Sequence, residues 1–288
     1  MPAPQASAMT QLAILKFQSQ QLKLPASAAP NLPRKPTLDF EFQSRIPAGI
    51  RTVAVGGSPT AQSVPPAMFV APSNNASDIT LQRDQSQIFR DYITGICTAI
   101  CSAWAAWQSS ATLVGVVVNA VTASGGVVVG PPLTPLILAQ GPNANDFERK
   151  RTSAIAEVIG TAWLSYTATL RVPGLPWYPA FAAVPSPVAP PSPNIPNPIL
   201  ALTQVATILN ENSLKSQMTA RFGVPEKFSD ELFAAIASAF ERVFNLWQVS
   251  TMVTNVLGTG PVPTFAPPYV PVGPVVGGVG TMLPGGFT

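Results

Sequence analysis

Enzyme chemistry draws on few side-chain types, and this 288-residue chain lacks the most versatile of them, since it contains no histidine. That removes the commonest general base, the Ser-His and Cys-His nucleophile pairs, and every zinc site that uses histidine. Carboxylates remain. Asp230 with Glu231, and Asp146 with Glu148, could in principle divide acid and base roles between them. Both pairs stand where helices are expected to begin, and the positive end of a helix dipole accounts for acids there without catalysis. Ser213 and Lys215 have the composition of a Ser/Lys dyad, but residues two apart on a helix do not face each other. Cys97 and Cys101 are the only cysteines. Four residues apart on one helix face they could bridge only with strain, and no carboxylates cluster with them as a zinc site would need. We read both as reduced, small packing residues.

Phosphate chemistry fares no better. No Gly-x-x-x-x-Gly-Lys-Ser/Thr loop occurs, and glycines 273, 277, 278 and 280 lack the spacing and the following helix of a dinucleotide fold. The run Glu148-Arg149-Lys150-Arg151 is short, includes an acid and opens a helix, which fits a solvated face better than a nucleic-acid contact. Asn75-Ala76-Ser77 matches a glycosylation acceptor, but Met1 to Gln20 has no basic start followed by an apolar run, so no secretory signal is expected to accompany it. The sequence assigns no catalytic, cofactor-binding or metal-ligating residue, and the chain is expected not to be an enzyme.

The elements that hold these residues are more informative. A helical pattern occurs three times, ending in Trp104-x-x-Trp107, Trp163-x-x-Tyr166 and Phe244-x-x-Trp247. Aligning the ends puts Ile96, Ile100 and Trp104 opposite Ile155, Ile159 and Trp163, and opposite Ile236, Phe240 and Phe244. The apolar face is thus shared, with Ile88 and Tyr92 extending it in the first copy. Acids precede each face: Asp84 and Asp91, Asp146 and Glu148, then Glu226, Asp230 and Glu231. The first helix is expected from near Arg83 to about Ser109. A fourth helix, inserted before the third copy, is expected to have Asn197 as cap, Pro198 at its first position and Gly223 as stop. Two or three antiparallel helices would bury the aromatic stripes in a small bundle.

Each helix is followed by an uncharged stretch rich in Pro or Gly. After the first, Leu113–Val121 and Val127–Val129 flank Thr-Ala-Ser-Gly-Gly, a hairpin pattern with a Gly-containing turn. The organisation expected is a Pro-rich, basic, extended arm over 1–80, repeat 1 over 81–145, repeat 2 over 146–198, the inserted helix over 199–223, and repeat 3 over 224–288. Within the arm, Asp39–Gln43 and Arg51–Val55 could be short strands. The expected fold class is mainly α with minor β: a small bundle of three aromatic-striped helices plus the inserted one, with a long extended arm and loops.

Charge bounds the function. Only 10% of residues are charged, against a usual ~25%, while 33 prolines are about twice average usage. No charged residue lies between Asp91 and Asp146, between Arg171 and Glu211, or after Arg242. Long uncharged stretches are most simply explained if other subunits cover them. Membrane burial is the rival explanation, but Tyr92–Trp107 contains Thr94, Thr98 and Ser102 and is shorter than the roughly 20 apolar residues of a span. The arm through Arg51 carries Lys16, Lys23, Arg34, Lys35, Arg45 and Arg51 against Asp39 and Glu41, so the excess positive charge of the chain, +3 overall, resides there.

The function expected is therefore a structural subunit of a large particle, such as a bacteriophage virion or tail or a contractile injection system. Its partners would be itself or other subunits, through the arm and the uncharged loops, and its location the virion or a particle assembled in the cytoplasm. The alternatives are an adaptor whose basic arm binds nucleic acid or an acidic partner, and a membrane-associated component. Six basic residues without a dense cluster make the nucleic-acid signal weak.

Overall fold

The computed structural model describes residues 3–20, 72–179, 186–202, 204, 206–224, 226, 228–266 and 270–288, with 72–86 and 270 described by backbone only. The chain divides into two compact units, one of Met1–Leu22 with Arg90–Thr288, the other Lys23–Phe89. Of the second unit the described part is the start of one helix, Pro72 to Phe89. The expected strands at Asp39–Gln43 and Arg51–Val55 lie outside the described residues.

The larger unit is a mixed α/β structure, not the mainly α small bundle expected from the sequence. Its helices are α1 (Ala6–Ser19), the end of α2 (Pro72–Ser110), α3 (Leu133–Gln140), α4 (Asp146–Thr169), α5 (Glu211–Phe222) and α6 (Ser229–Ser250). The strands are β1 (Thr112–Asn119), β2 (Thr122–Val129), β3 (Val172–Pro176), β4 (Val188–Ser192), β5 (Asn197–Pro198), β6 (Met252–Val253), β7 (Val256–Pro261), β8 (Phe265–Ala266), β9 (Val270–Pro271) and β10 (Gly278–Met282). Six of them form one antiparallel sheet in the order β3-β2-β1-β10-β7-β4.

The three aromatic motifs are the ends of α2, α4 and α6, and they meet. Trp104, Trp163 and Phe244 hold the same position in the three copies, and their rings close a triangle with centroid separations of 4.7, 6.1 and 6.2 Å. Contact between equivalent positions is what parallel helices in register would give. A second level agrees: Tyr92 Oη lies 3.2 Å from Thr152 Oγ1, and Arg151 reaches Ser229 Oγ at 3.4 Å, both pairs some three to four turns before the aromatic ends. The antiparallel packing expected from the sequence is therefore replaced by a parallel one. The buried face of α2 begins at Tyr92, whereas Ile88 is 59% exposed.

Parallel helices explain the sheet. Each helix stops three residues after its last aromatic, where Ser110, Thr169 and Ser250 donate their hydroxyls to backbone carbonyls of the final turn. The next residues, Ala111, Leu170 and Thr251, are buried, and extended chain follows each at once, as β1, β3 and β6–β7. The tails, one expected as a hairpin and two as loops, thus leave from one layer and lie side by side, where pairing satisfies their backbone groups.

Proline and glycine hid these strands. Pro173, Pro176, Pro190 and Pro191 stand in β3 and β4, the two edges, where a missing N–H need cost no ladder bond. Gly258 and Gly280, in β7 and β10, admit the Tyr178 ring: a Cβ would stand 2.6 Å from its Cζ at the first and 2.9 Å from its Oη at the second. The β1–β2 hairpin forms as expected, but its turn is Ala120-Val121, with Ala120 at φ 54, and the Gly-Gly pair lies inside β2.

Two further expectations change. Residues 6–19, assigned to the extended arm, are helical, because prolines 4 and 25 leave room for four turns and Met9, Ala13 and Phe17 recur on one buried face. The inserted helix is shorter than expected and is capped by Asn210, whose Oδ1 accepts from Ser213 N at 2.7 Å. Gly223, in the left-handed conformation, does stop it, while Asn197-Pro198 pair with β6 instead of starting it.

The indoles differ in one respect that stability can read. Trp247 Nε1 donates to Gln108 Oε1 at 3.0 Å, whereas Trp104 Nε1 is buried with no acceptor. Trp247→Phe removes a buried hydrogen bond to Gln108, and Trp104→Phe removes an unmet donor. Urea unfolding is expected to show Trp247→Phe as the more destabilising of the two by about 1–3 kcal/mol.

Candidate functional site

Each side-chain pair that could have carried chemistry has a structural role in place. Asn145 Oδ1 accepts from Glu148 N at 2.9 Å, and Glu148 Oε2 accepts from Ala144 N at 2.9 Å, a reciprocal cap on the start of α4. Asp146 is paired with Arg149. Asp230 and Glu231 lie in the first turn of α6, where Asp230 Oδ1 accepts from Thr219 Oγ1 at 3.0 Å. Ser213 Oγ accepts from Gln217 Nε2 at 2.9 Å, one turn along the same helix, so its recorded partner is not Lys215. Of the basic run in α4, Arg151 is the inward member: its Nη2 lies 2.6 Å from Glu226 Oε2 and its guanidinium 6.0 Å from the Phe222 ring.

Cys97 and Cys101 are both free and buried, as packing residues should be. Cys101 Sγ lies 3.6 Å from Met9 Sδ of α1. Burial pushes the Cys97 thiol well above its ordinary range, with the neighbouring Cys101 adding to the shift, and pushes Cys101 up to about 12. Among the described residues no three His, Cys, Asp or Glu side chains gather as a metal site, and no helix is long and apolar enough to cross a membrane.

What the fold does present is the outer face of the sheet. Along β1, β2 and β10 side chains alternate between the helical layer and the outside, so Leu113, Val116, Val118, Ala123, Val128 and Met282 are buried. The other face carries Val114, Val117, Val127, Val129 and Val279, exposed by 38–56%. Cross-strand register makes them neighbours: Val117 sits opposite Val279, and Val114 opposite Val127. Val188 in β4 and Pro173 in β3 extend the surface to both edges. None of the strands among the described residues contains a charged residue. Arg171, just before β3, folds its guanidinium back onto the Leu170 carbonyl at 2.7 Å.

Sequence reasoning read the first uncharged stretch as a hairpin, with Val114, Val117, Val127 and Val129 on either side of a turn, but left the other two as loops, so it did not see that all three share one face. The Gly-rich β10, which completes the centre, carries no such signal.

No protein-family model, curated protein or solved structure matches the chain.

Two measurements check this account. A maleimide or disulfide reagent at pH 8 is expected to modify neither thiol in the folded protein and both once denaturant is added, since a buried thiol with a raised pKa supplies almost no thiolate. The second concerns Glu211. Burial alone would raise its pKa, but the hydrogen bonds from Ser238 and Lys16 and the charges of Lys16 and Arg242 outweigh it and hold the carboxyl below its ordinary 4.5. Its stabilising effect is therefore full above about 4.5 and is lost as pH falls through the depressed value. Glu211→Gln is expected to lower stability clearly at pH 7 and progressively less below pH 4.5, measured by urea unfolding across that range.

Proposed function

We propose that this chain is a non-enzymatic structural subunit of a large assembly, in which its uncharged sheet face is covered by another subunit. The observation that carries this reading is the outer face of β3-β2-β1-β10-β7-β4, six strands wide, bearing exposed valines and no charge. An ordinary surface is rich in both signs of charge, and a contiguous apolar patch of this kind marks an interaction site. The edges support face-to-face association. Prolines 173, 176, 190 and 191 interrupt the hydrogen-bonding rows along which a further strand would add.

The particle suited to such a subunit is a virion, a phage tail or a contractile injection machine, where many copies of a non-catalytic chain hold one another through apolar surfaces. The acids and bases described above, engaged in caps and ion pairs, fit a scaffold better than a reaction centre. Light scattering on the full chain tests the reading. We expect the mass to rise with concentration above the 30.1 kDa of one chain. A monomer at every concentration, alone and with other components of its source, would sink it.

A further inference from the structure

We infer that the partner of the sheet's outer face is the same face of a second copy, so that two sheets pack across a twofold axis as a β-sandwich. This rests on the reading of the chain as an assembly subunit and names the contact that reading leaves open. Three observations select a second copy.

The first is area. Six strands about 4.8 Å apart, each about 17–26 Å long, offer roughly 500–700 Å² per copy, and two such faces bury about 1,000–1,400 Å². That passes the ~1,000 Å² a stable protein interface needs, whereas a single strand or helix laid on the face would leave much of it uncovered.

The second is chemistry. The valines of the face adjoin across strands, Val117 opposite Val279 and Val114 opposite Val127, with the neutral side chains of Ser124 and Thr281 beside them. Its described strands carry no charge for an unlike protein to complement. An identical face has the same apolar character, the same strand spacing and the same hand of twist, which are the requirements for aligned sheet packing with side chains interleaved. A lipid surface is the other apolar partner to consider. The face carries no Lys, Arg, Trp or Tyr of the kind that anchors a protein at a headgroup layer.

The third is edge protection. The prolines in β3 and β4 oppose continuation of the sheet sideways, so the apolar surface is left to be buried by stacking, which closes at two copies.

The test uses the full chain and the double variant Val117→Lys with Val279→Lys. Both side chains point outward, at 43% and 56% exposure, so the substitutions leave the core intact. Near-ultraviolet circular dichroism of the tryptophan cluster checks this. We expect wild-type protein to pair, and the variant to raise the dissociation constant of that pairing by roughly 100-fold or more, because four uncompensated ammonium groups would enter one interface. Thiol labelling of Thr281→Cys gives a second readout: Thr281 is exposed on β10, the native thiols are buried, and modification should slow as protein concentration rises. If wild type assembles and the folded double variant assembles equally well, with labelling independent of concentration, the sandwich is wrong while the subunit reading stands. Wild type that stays monomeric alone overturns the sandwich, and the subunit reading falls with it only if the chain also stays monomeric with other components of its source. Binding to neutral phosphatidylcholine vesicles without self-association would overturn the second copy as partner.

Discussion

The contact among Trp104, Trp163 and Phe244 is the constraint from which the larger unit follows. Three equivalent residues touch one another, and with the contacts of Tyr92 to Thr152 and of Arg151 to Ser229 nearer the helix starts they hold the helices parallel and level. That brings three helix ends to one height, and the three tails must then leave in one layer. Because the tails contain backbone donors and acceptors and few side chains to satisfy them, they pair. The sheet is a consequence of where the helices stop. Aromatic pairs of this type contribute about 0.5–1.5 kcal/mol each beyond the area they bury, and α6 adds Phe240 and Trp247 to the same cluster.

Placing three helix C-termini together has an electrostatic cost, since each ends in unpaired carbonyls and a partial negative charge. The chain meets it with neutral donors. Ser110, Thr169 and Ser250 turn onto carbonyls of their own helices. Gln108 donates to the Phe287 carbonyl while accepting from Trp247, and Gln248 donates to Tyr166 Oη. No Lys or Arg occupies the last turn of α2, α4 or α6. A cation there would lie against the apolar cluster and beneath the sheet, where desolvation would outweigh its attraction to the dipole.

Much of this was legible from residue patterns, and the illegible part has a physical cause. The 3.6-residue periodicity of α2, α4 and α6 is strong because one face of each is buried, and the shared aromatic positions foretold that these faces belong together. Orientation was not readable. A stripe of Ile and Trp looks the same to a parallel or an antiparallel neighbour. Those strands have little β-propensity of their own: β10 is Gly-Val-Gly-Thr-Met and β4 is Val-Ala-Pro-Pro-Ser. Gly258 and Gly280 make room for the Tyr178 ring, and the prolines stand at edges, so both residue types report tertiary surroundings instead of local preference. The α1 helix was missed for a related reason, because prolines counted over a whole segment conceal a proline-free stretch within it. The candidate surface was half legible: its lack of charge is written in the sequence, but its existence as one face depends on the pairing of β1 with β10.

That pairing sets an order of events. β1 ends at Asn119, and the strand that lies beside it, β10, begins only at Gly278, with β7 reaching the sheet through β10. On a ribosome, where a domain gathers as its residues emerge, the β1–β2 hairpin and the first aromatic helices would be available long before the middle strand. Until that strand arrives, β1 has an open edge and the outer valines of β1 and β2 are separated from β7 and β4. The apolar face becomes continuous only when synthesis has passed Met282. Emergence of β10 thereby acts as a timer, and a growing polypeptide held next to its neighbours on the same messenger cannot present the whole outer face before that strand appears.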